Sequence, residues 1–219
     1  KGRELVQKLL AGTNIALITD AGTPGISDPG EELVKMAYEA GIEVTSLPGA
    51  CACVTALTLS GLSTRRFVFE AFLPPDKKEH KLALERLKNE TRTMIVYEAP
   101  HHLLKTLREL LETLGNRRLT LCRELTKKHE TAWQTTIEDA ITRYEQEDPK
   151  GECVLVIEGR SQKEIEDEAK AAFEEISIEE HMKRYEDQGI ARKEAMKLVA
   201  KDRGVTKRDI YQYLLGKES

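Results

Sequence analysis

No stretch of the 219-residue sequence approaches the roughly 20 consecutive apolar residues of a membrane span, and none reads as a signal peptide. Basic residues are not in excess: 34 Lys and Arg stand against 38 Asp and Glu, a formal net charge of -4. The chain therefore has no global basic field, and any nucleic-acid contact must come from a local patch. Cysteine is scarce, at four residues, and no Cys-x-x-Cys occurs. That pattern excludes a disulfide scaffold and leads us to expect a reducing, cytoplasmic setting. Cys51 and Cys53 have no His or Cys nearby in sequence to complete a metal set, so no metal is expected. Internal repeats and low-complexity segments are missing. Both Gly-x-x-x-x-Gly-Lys-Ser/Thr and Gly-x-Gly-x-x-Gly are absent, which excludes a P-loop and the usual dinucleotide fingerprint.

What is present is a globular composition, 40% hydrophobic and 33% charged, long enough for one large or two small domains. The chain opens on Lys1 inside a helical pattern, Gly2 to Leu10, which leads us to expect that its N-terminal region is incomplete. The stretch that organises the rest runs from Ile15 to Gly30. Ile15 to Thr19 reads as a buried strand, and the loop from Asp20 to Asp28 follows it with Gly22, Pro24 and Gly25. In an open α/β sheet, ligands sit beyond the carboxyl ends of strands, so this loop is the first candidate for a site. An ordinary strand-to-helix connection remains the alternative. Asp20 and Asp28 disfavour a bare phosphate and suit a ligand with hydroxyls or a positive charge.

Further along, the pattern gives a helix over Glu31 to Ala40, a strand over Ile42 to Leu47, and a helix of small residues over Ala50 to Ser60. That last helix either packs in the core or lines the same cleft with its start at Cys51 and Ala52. The composition shifts at Ser63 to Arg66, which sets a boundary between domains at 1–63 and 64–160. In the second domain we expect strands over Phe67 to Phe72, Thr93 to Tyr97, Arg118 to Cys122, Glu130 to Thr135 and Glu152 to Glu158. Helices are expected over His80 to Asn89, Pro100 to about Leu114, and Ile137 to Gln146. Lys77, Lys78, Lys81 and Arg86 form either a solvated face or phosphate contacts. Charged groups crowd the end of the third of these strands, from Arg123 to Glu130. Lys127 is the first catalytic candidate there, with Glu124 to orient it and Glu130 in reserve. As a neutral amine Lys127 would need burial or nearby cations; as an ammonium it would stabilise an alkoxide.

A third domain is expected over 161–219. Glu164 to Glu180 carries eight acidic residues and reads as a solvated helical linker. Met182 to Arg208 carries nine Lys or Arg. Helices over Ala191 to Arg203 and Lys207 to Leu215, with a turn at Gly204 and a cap at Thr206, resemble a helix-turn-helix. This part is either a helical cap or a basic element gripping nucleic-acid backbone.

Five segments occur in order: Asp20-Ala-Gly-Thr-Pro-Gly-Ile-Ser-Asp-Pro-Gly30, Pro48-Gly-Ala-Cys-Ala52, Phe67-x-Phe-Glu-x-Phe-Leu-Pro74, Tyr97-Glu-x-Pro-His101 and Arg123-Glu-Leu-Thr-Lys127. Together they resemble the ribosomal RNA small subunit methyltransferase I family of the tetrapyrrole-methylase superfamily. The resemblance implies two α/β domains with S-adenosylmethionine (AdoMet) between them, plus a C-terminal helical domain. It implies methylation of the ribose 2′-oxygen of a cytidine in small-subunit (16S) rRNA, and a homodimer. The family normally starts with a strand and a Gly-Thr-Pro-Ile-Gly-Asn-Leu loop, then a Glu-Asp-Thr-Arg segment. Neither is present, so part of the site is expected to lie outside this sequence. Carried over position by position, cofactor contacts fall on Ala21, Gly22, Thr23, Ile26, Cys51, Ala52, Glu98 and Thr126. The alternatives are a small-molecule methylase of the same fold and a non-enzymatic nucleic-acid-binding protein.

Overall fold

A computed structural model describes residues 1–217, apart from the side chains of Ala169, Glu174, Gly216 and Lys217. The last two residues of the expected C-terminal domain lie outside the described residues. The chain divides into two compact units, Lys1–Gly159 and the part from Arg160 onward. The boundary expected after residue 160 falls beside this division, and the one expected at residues 63 and 64 lies inside the first unit.

In the first unit the order is α1 (Gly2–Leu10), α2 (Glu31–Glu39), α3 (Ala52–Leu59), β1 (Phe67–Phe72), α4 (Lys77–Lys88) and β2 (Thr93–Glu98). There follow α5 (Pro100–Leu114), β3 (Arg118–Arg123), β4 (Thr131–Thr136), α6 (Ile137–Tyr144) and β5 (Cys153–Ile157). The five strands form one sheet in the order β1-β2-β5-β3-β4. Only β1 and β2 run parallel; the other neighbours are antiparallel. Every expected strand from Phe67 onward is present. Pro100 opens α5 from its first turn, where its missing N–H costs nothing. Helix α4 starts earlier than the periodicity predicts, at Lys77, because the Asp76 carboxylate accepts from the N–H groups of Lys78 and Glu79, both at 3.0 Å.

Two expectations fail. Residues 15–19 and 42–47 form no strand. Neither is paired into a sheet, and Ile18 and Leu47 each remain 83% exposed. An apolar run becomes a strand only where an adjacent backbone takes its N–H and C=O groups.

Period-two alternation divides the sheet between two layers. Met94, Val96, Leu119, Leu121, Cys153, Leu155 and Ile157 face a core built with Leu87, Leu103, Leu107, Leu110 and Ile137 of the α4, α5 and α6 side. Ile95, Cys122, Val154 and Val156 face the other way, against Cys53, Ala56 and Leu57 of α3. A bulge interrupts β1 between Phe69 and Ala71, where Ala71 takes a left-handed φ of 51°. Simple alternation would send Phe69 and Phe72 to opposite faces. With the bulge, both rings meet Tyr97 edge-on, at 5.0 and 5.6 Å.

The second unit holds α7 (Gln162–Glu174), α8 (Ile178–Glu186), α9 (Arg192–Arg203) and α10 (Lys207–Lys217). The acidic stretch is thus not one solvated linker. It breaks before Ser177, whose hydroxyl caps α8 by accepting from Glu180 N–H at 3.1 Å. Met182, Ala195, Val199, Ala200 and Ile210 form a core of their own. Gly204 turns in the left-handed region and Thr206 caps α10, both as the sequence predicts.

His181, 1% exposed, is stacked on Phe173 at 4.3 Å and lies against Tyr185 at 5.6 Å. Its Nδ1 accepts from Arg203 at 3.3 Å, and its Nε2 stands 3.3 Å from Asp202, which also accepts from the Tyr185 hydroxyl. Burial, followed by the Arg203 charge, pulls the imidazole below its usual 6.5. A lowered imidazole is neutral in the fold, while the unfolded chain takes up the proton first. Its contribution is therefore complete above about pH 6.5 and is lost as pH falls below that toward the folded value. We expect amide hydrogen exchange of α8 and α9 to accelerate between pH 7 and pH 5, after correction for intrinsic rates. His181→Gln should flatten that slope; an unchanged slope would remove His181 as its source.

Candidate active site

The carboxyl ends of β1 and β2, the end of β3 and the start of β5 all lie at one end of the sheet. Two N-terminal loops meet them there. The Ala50 carbonyl accepts from both the N–H and the hydroxyl of Thr23, at 2.9 and 3.0 Å, which ties the Asp20 loop to the start of α3. Gly22 has a φ of +76°, and a Cβ there would stand 3.1 Å from the Ala50 oxygen. Only glycine allows this approach without strain. The result is a cleft of about 340 Å³.

Most of the expected site residues meet in this cleft. Ala21, Gly22, Thr23, Ile26, Cys51, Ala52, Thr126 and Lys127 all line it. Asp20 and Asp28 supply carboxylates at its edge. Sequence reasoning missed Phe72, Tyr97, Leu125 and the Glu152 to Val154 edge, which line it as well. Tyr97 was within reach: it alternates with the apolar residues Met94 and Val96, so it shares the α3 face with Ile95. Its hydroxyl accepts from Cys53 N–H at 2.8 Å, anchoring the first turn of α3. Burial, with the neighbouring thiols, pushes the Tyr97 hydroxyl well above its usual range.

The same alternation takes Glu98 elsewhere. It points to the α5 face, accepts from Thr106 Oγ1 at 2.5 Å and from Ala99 N–H at 2.7 Å, and lines a groove between α4 and α5. Its carboxylate is spent on the residue before α5 and on Thr106, and is not part of the cleft lining. That groove, about 1020 Å³, is the larger cavity; Lys77, Lys81, Lys88, Glu85, Glu109 and Glu112 line it, and neither the Asp20 loop, the start of α3 nor the loop after β3 does.

The loop after β3 has an unusual backbone. Glu124 and Thr126 both lie in the left-handed region, at φ 50° and 64°, although neither is glycine. Non-glycine residues held there cost about 1 kcal/mol or more each and persist where the surroundings over-determine them. Leu125 between them packs on the α3-side core. Glu130 folds back to accept from Thr126 N–H at 2.5 Å, and Lys127 N–H donates to the Glu124 carbonyl at 3.0 Å. The turn delivers Thr126 and Lys127 to the cleft. Glu124 and Glu130 are outside the cleft lining and shape the loop. Lys127 Nζ lies 3.2 Å from Glu124 Oε1, with its side chain 62% exposed. The lysine is thus ion-paired and open to solvent, and burial, the first condition set for a neutral amine base, is not met.

The cleft also fits a cofactor of the expected kind. Gly22, Ala50 and Ala52 leave backbone accessible, Ile26, Phe72, Tyr97, Leu125 and Val154 offer a flat apolar ring site, and the two Asp carboxylates suit ribose hydroxyls or a cationic centre.

Residues 2–141 match the family model described as Tetrapyrrole (Corrin/Porphyrin) Methylases. A ribosomal RNA small subunit methyltransferase I of Synechocystis is 45% identical over 218 residues, 99% of this chain and 76% of that relative. One of Bacillus subtilis is 44% identical over 210 residues, 96% of this chain and 72% of that relative. Among solved structures, the methyltransferase CobJ aligns with a TM-score of 0.55 at 19% identity, covering 72% of this chain and 70% of its own, a likeness of fold. The chain belongs to the tetrapyrrole methylase family, in the branch of the ribosomal RNA small subunit methyltransferases I.

Proposed function

We propose that this chain catalyses transfer of the AdoMet methyl group to the ribose 2′-oxygen of a cytidine in small-subunit rRNA. The observation that carries the reading is the cleft itself, where three motif loops converge on small residues, two carboxylates and one exposed, ion-paired lysine. Ala21, Gly22, Thr23, Ile26, Cys51, Ala52 and Thr126 would hold the cofactor, which supplies an electrophilic methyl group on a sulfonium. Asp20 and Asp28 sit where they can bind hydroxyls or positive charge. The apolar wall of Phe72, Tyr97 and Leu125 excludes water from the reacting centre. A ribose hydroxyl is a weak nucleophile at neutral pH. Lys127 stabilises the oxyanion that develops on it, and Glu124 orients Lys127.

A local basic stripe on the second unit fits a nucleic-acid substrate. Lys193, Lys197 and Lys201 recur every fourth residue on α9 and are all exposed, as are Tyr211 and Tyr213. Such a stripe suits phosphates, and the tyrosines add stacking surface. The reading also includes a homodimer acting on the 30S subunit in the cytoplasm. Among the described residues, no helix is long and apolar enough to cross a membrane.

Radiolabelled AdoMet and 30S subunits lacking their native methylations test the reading. We expect label on the 2′-oxygen of one cytidine after nuclease digestion. Label on a base would overturn the ribose assignment. Unlabelled rRNA from a protein that binds AdoMet would redirect the search to a small acceptor.

A further inference from the structure

Cys51 lines the cleft and Cys53 lies behind it, with their sulfur atoms 3.3 Å apart. Their backbone is held at both ends. The Cys51 carbonyl accepts from Thr55 N–H at 3.0 Å and Thr55 Oγ1 at 2.9 Å, and Cys53 N–H donates to Tyr97 at 2.8 Å. Cys51 is the residue before the first turn of α3, with extended φ and ψ of -140° and 114°. Residues two apart span at most about 7 Å, which leaves their α-carbons within disulfide range. The sulfurs need to close about 1.3 Å from their 3.3 Å separation to reach the bonding distance of about 2.05 Å. The two thiols differ in access: Cys51 is half-buried and lines the cleft, whereas Cys53 is 5% exposed and packs in the core.

We propose that Cys51 and Cys53 are a hydrogen-peroxide-responsive thiol pair that closes to an intramolecular disulfide, withdraws the Cys51 sulfur from the cleft wall and so weakens ligand binding there. In the first step the Cys51 sulfur attacks one peroxide oxygen. The O–O bond breaks, a Cys51 sulfenic acid forms, and the other oxygen leaves as water. In the second step the Cys53 sulfur attacks Cys51 sulfur. The S–S bond forms, the S–O bond breaks, and hydroxide leaves with the Cys53 proton as a second water. Two thiols are oxidised by two electrons in all, and one peroxide is reduced to two waters.

The asymmetry assigns the roles. Cys51 faces the cleft and meets the oxidant first; Cys53 lies behind it, with burial pushing its thiol up to about 11, and is left to resolve the sulfenic acid at 3.3 Å. Cys122 and Cys153 are fully buried, and burial raises their thiols to about 11 and about 12. They stay out of the reaction. A ring closed across a single residue at a helix start is strained, and strained disulfides are the readily reduced ones, so the modification is reversible. Bond formation swings the Cys51 sulfur from the cleft wall toward Cys53. The effect on the cofactor rests on the reading that AdoMet occupies this cleft.

The test treats the full chain with hydrogen peroxide and reads intact mass, a peptide map and AdoMet affinity by calorimetry. We expect the loss of two hydrogens, confined to the peptide holding Cys51 and Cys53, and a fall in affinity of at least tenfold that dithiothreitol reverses. Cys53→Ser should instead stop at a dimedone-trapped sulfenic acid on Cys51. Gain of oxygen without loss of hydrogen in the unsubstituted protein would overturn the pair. A disulfide that leaves affinity unchanged would overturn the effect on the cleft. A reduced protein that never binds AdoMet would overturn the proposed function instead, while the mass measurement still decides the disulfide.

Discussion

Gly159→Ala should destabilise the first unit by about 3 kcal/mol, a fall in Tm of roughly 10 °C for a unit of this size. The position is not left-handed, so the cost is one of space. A Cβ there would overlap the Thr91 carbonyl and the Arg92 carbonyl oxygen, which are backbone and cannot rotate away. Nor can that turn retreat. Glu90 accepts from Arg92 through N–H and Nε, both at 2.8 Å, and Arg92 pulls the Glu90 carboxyl down to about 2. Thr93 Oγ1 is tied to the Ser63 carbonyl at 2.8 Å. On the other side, Arg117 Nη1 donates to the Glu158 carbonyl at 3.4 Å. Gly41→Ala is the matched control: φ is +72° there with nothing near the new methyl, so only backbone strain of about 1 kcal/mol is expected. Calorimetric melts of the two variants decide the point. Equal shifts would mean that the approach of residue 159 to residues 91 and 92 is not close.

Lys127→Ala should lower turnover by about 10² to 10³, with AdoMet affinity unchanged. The lysine reaches the cleft on a loop shaped by other groups: Leu125 in the core, Glu130 on Thr126 N–H, and two left-handed residues. Its removal therefore costs an interaction with the developing oxyanion and little structure. Glu124→Gln keeps a hydrogen-bond acceptor and loses the charge, so a smaller defect is expected. Single-turnover methylation of saturating 30S subunits gives the rate, and calorimetry gives the affinity. Normal turnover in Lys127→Ala would eliminate this role and direct attention to groups outside the present sequence.

Much of the cleft could be read from sequence because its chemistry is local. Gly22 and Thr23 act through a turn, Cys51 and Ala52 through a helix start, and Thr126 and Lys127 through a loop after a strand. Glu98 falls outside the cleft lining because a residue at a strand end was assigned by motif without its face. Met94 and Val96 already fix that face as the α5 side. The strands expected at residues 15–19 and 42–47 show the opposite limit. Apolar runs signal a strand, but hydrogen-bonded neighbours decide it, and those are not written in the run. The acidic stretch misled for a similar reason: charge count hid Phe173, which stacks on His181, and Ile178, which packs against the helical core.

Strand β5 lies between β2 and β3, yet it is the last of the five to leave the ribosome. Until Cys153 to Ile157 emerge, β1 with β2 and β3 with β4 are two separate pairs, each showing an apolar strand edge that belongs at the centre. Closing the sheet is therefore a late, long-range event, and the cleft, whose wall includes Cys153 and Val154, is completed in the same step. A nascent chain stopped short of residue 153 has two sticky edges and an incomplete site, which makes it a natural client for chaperones.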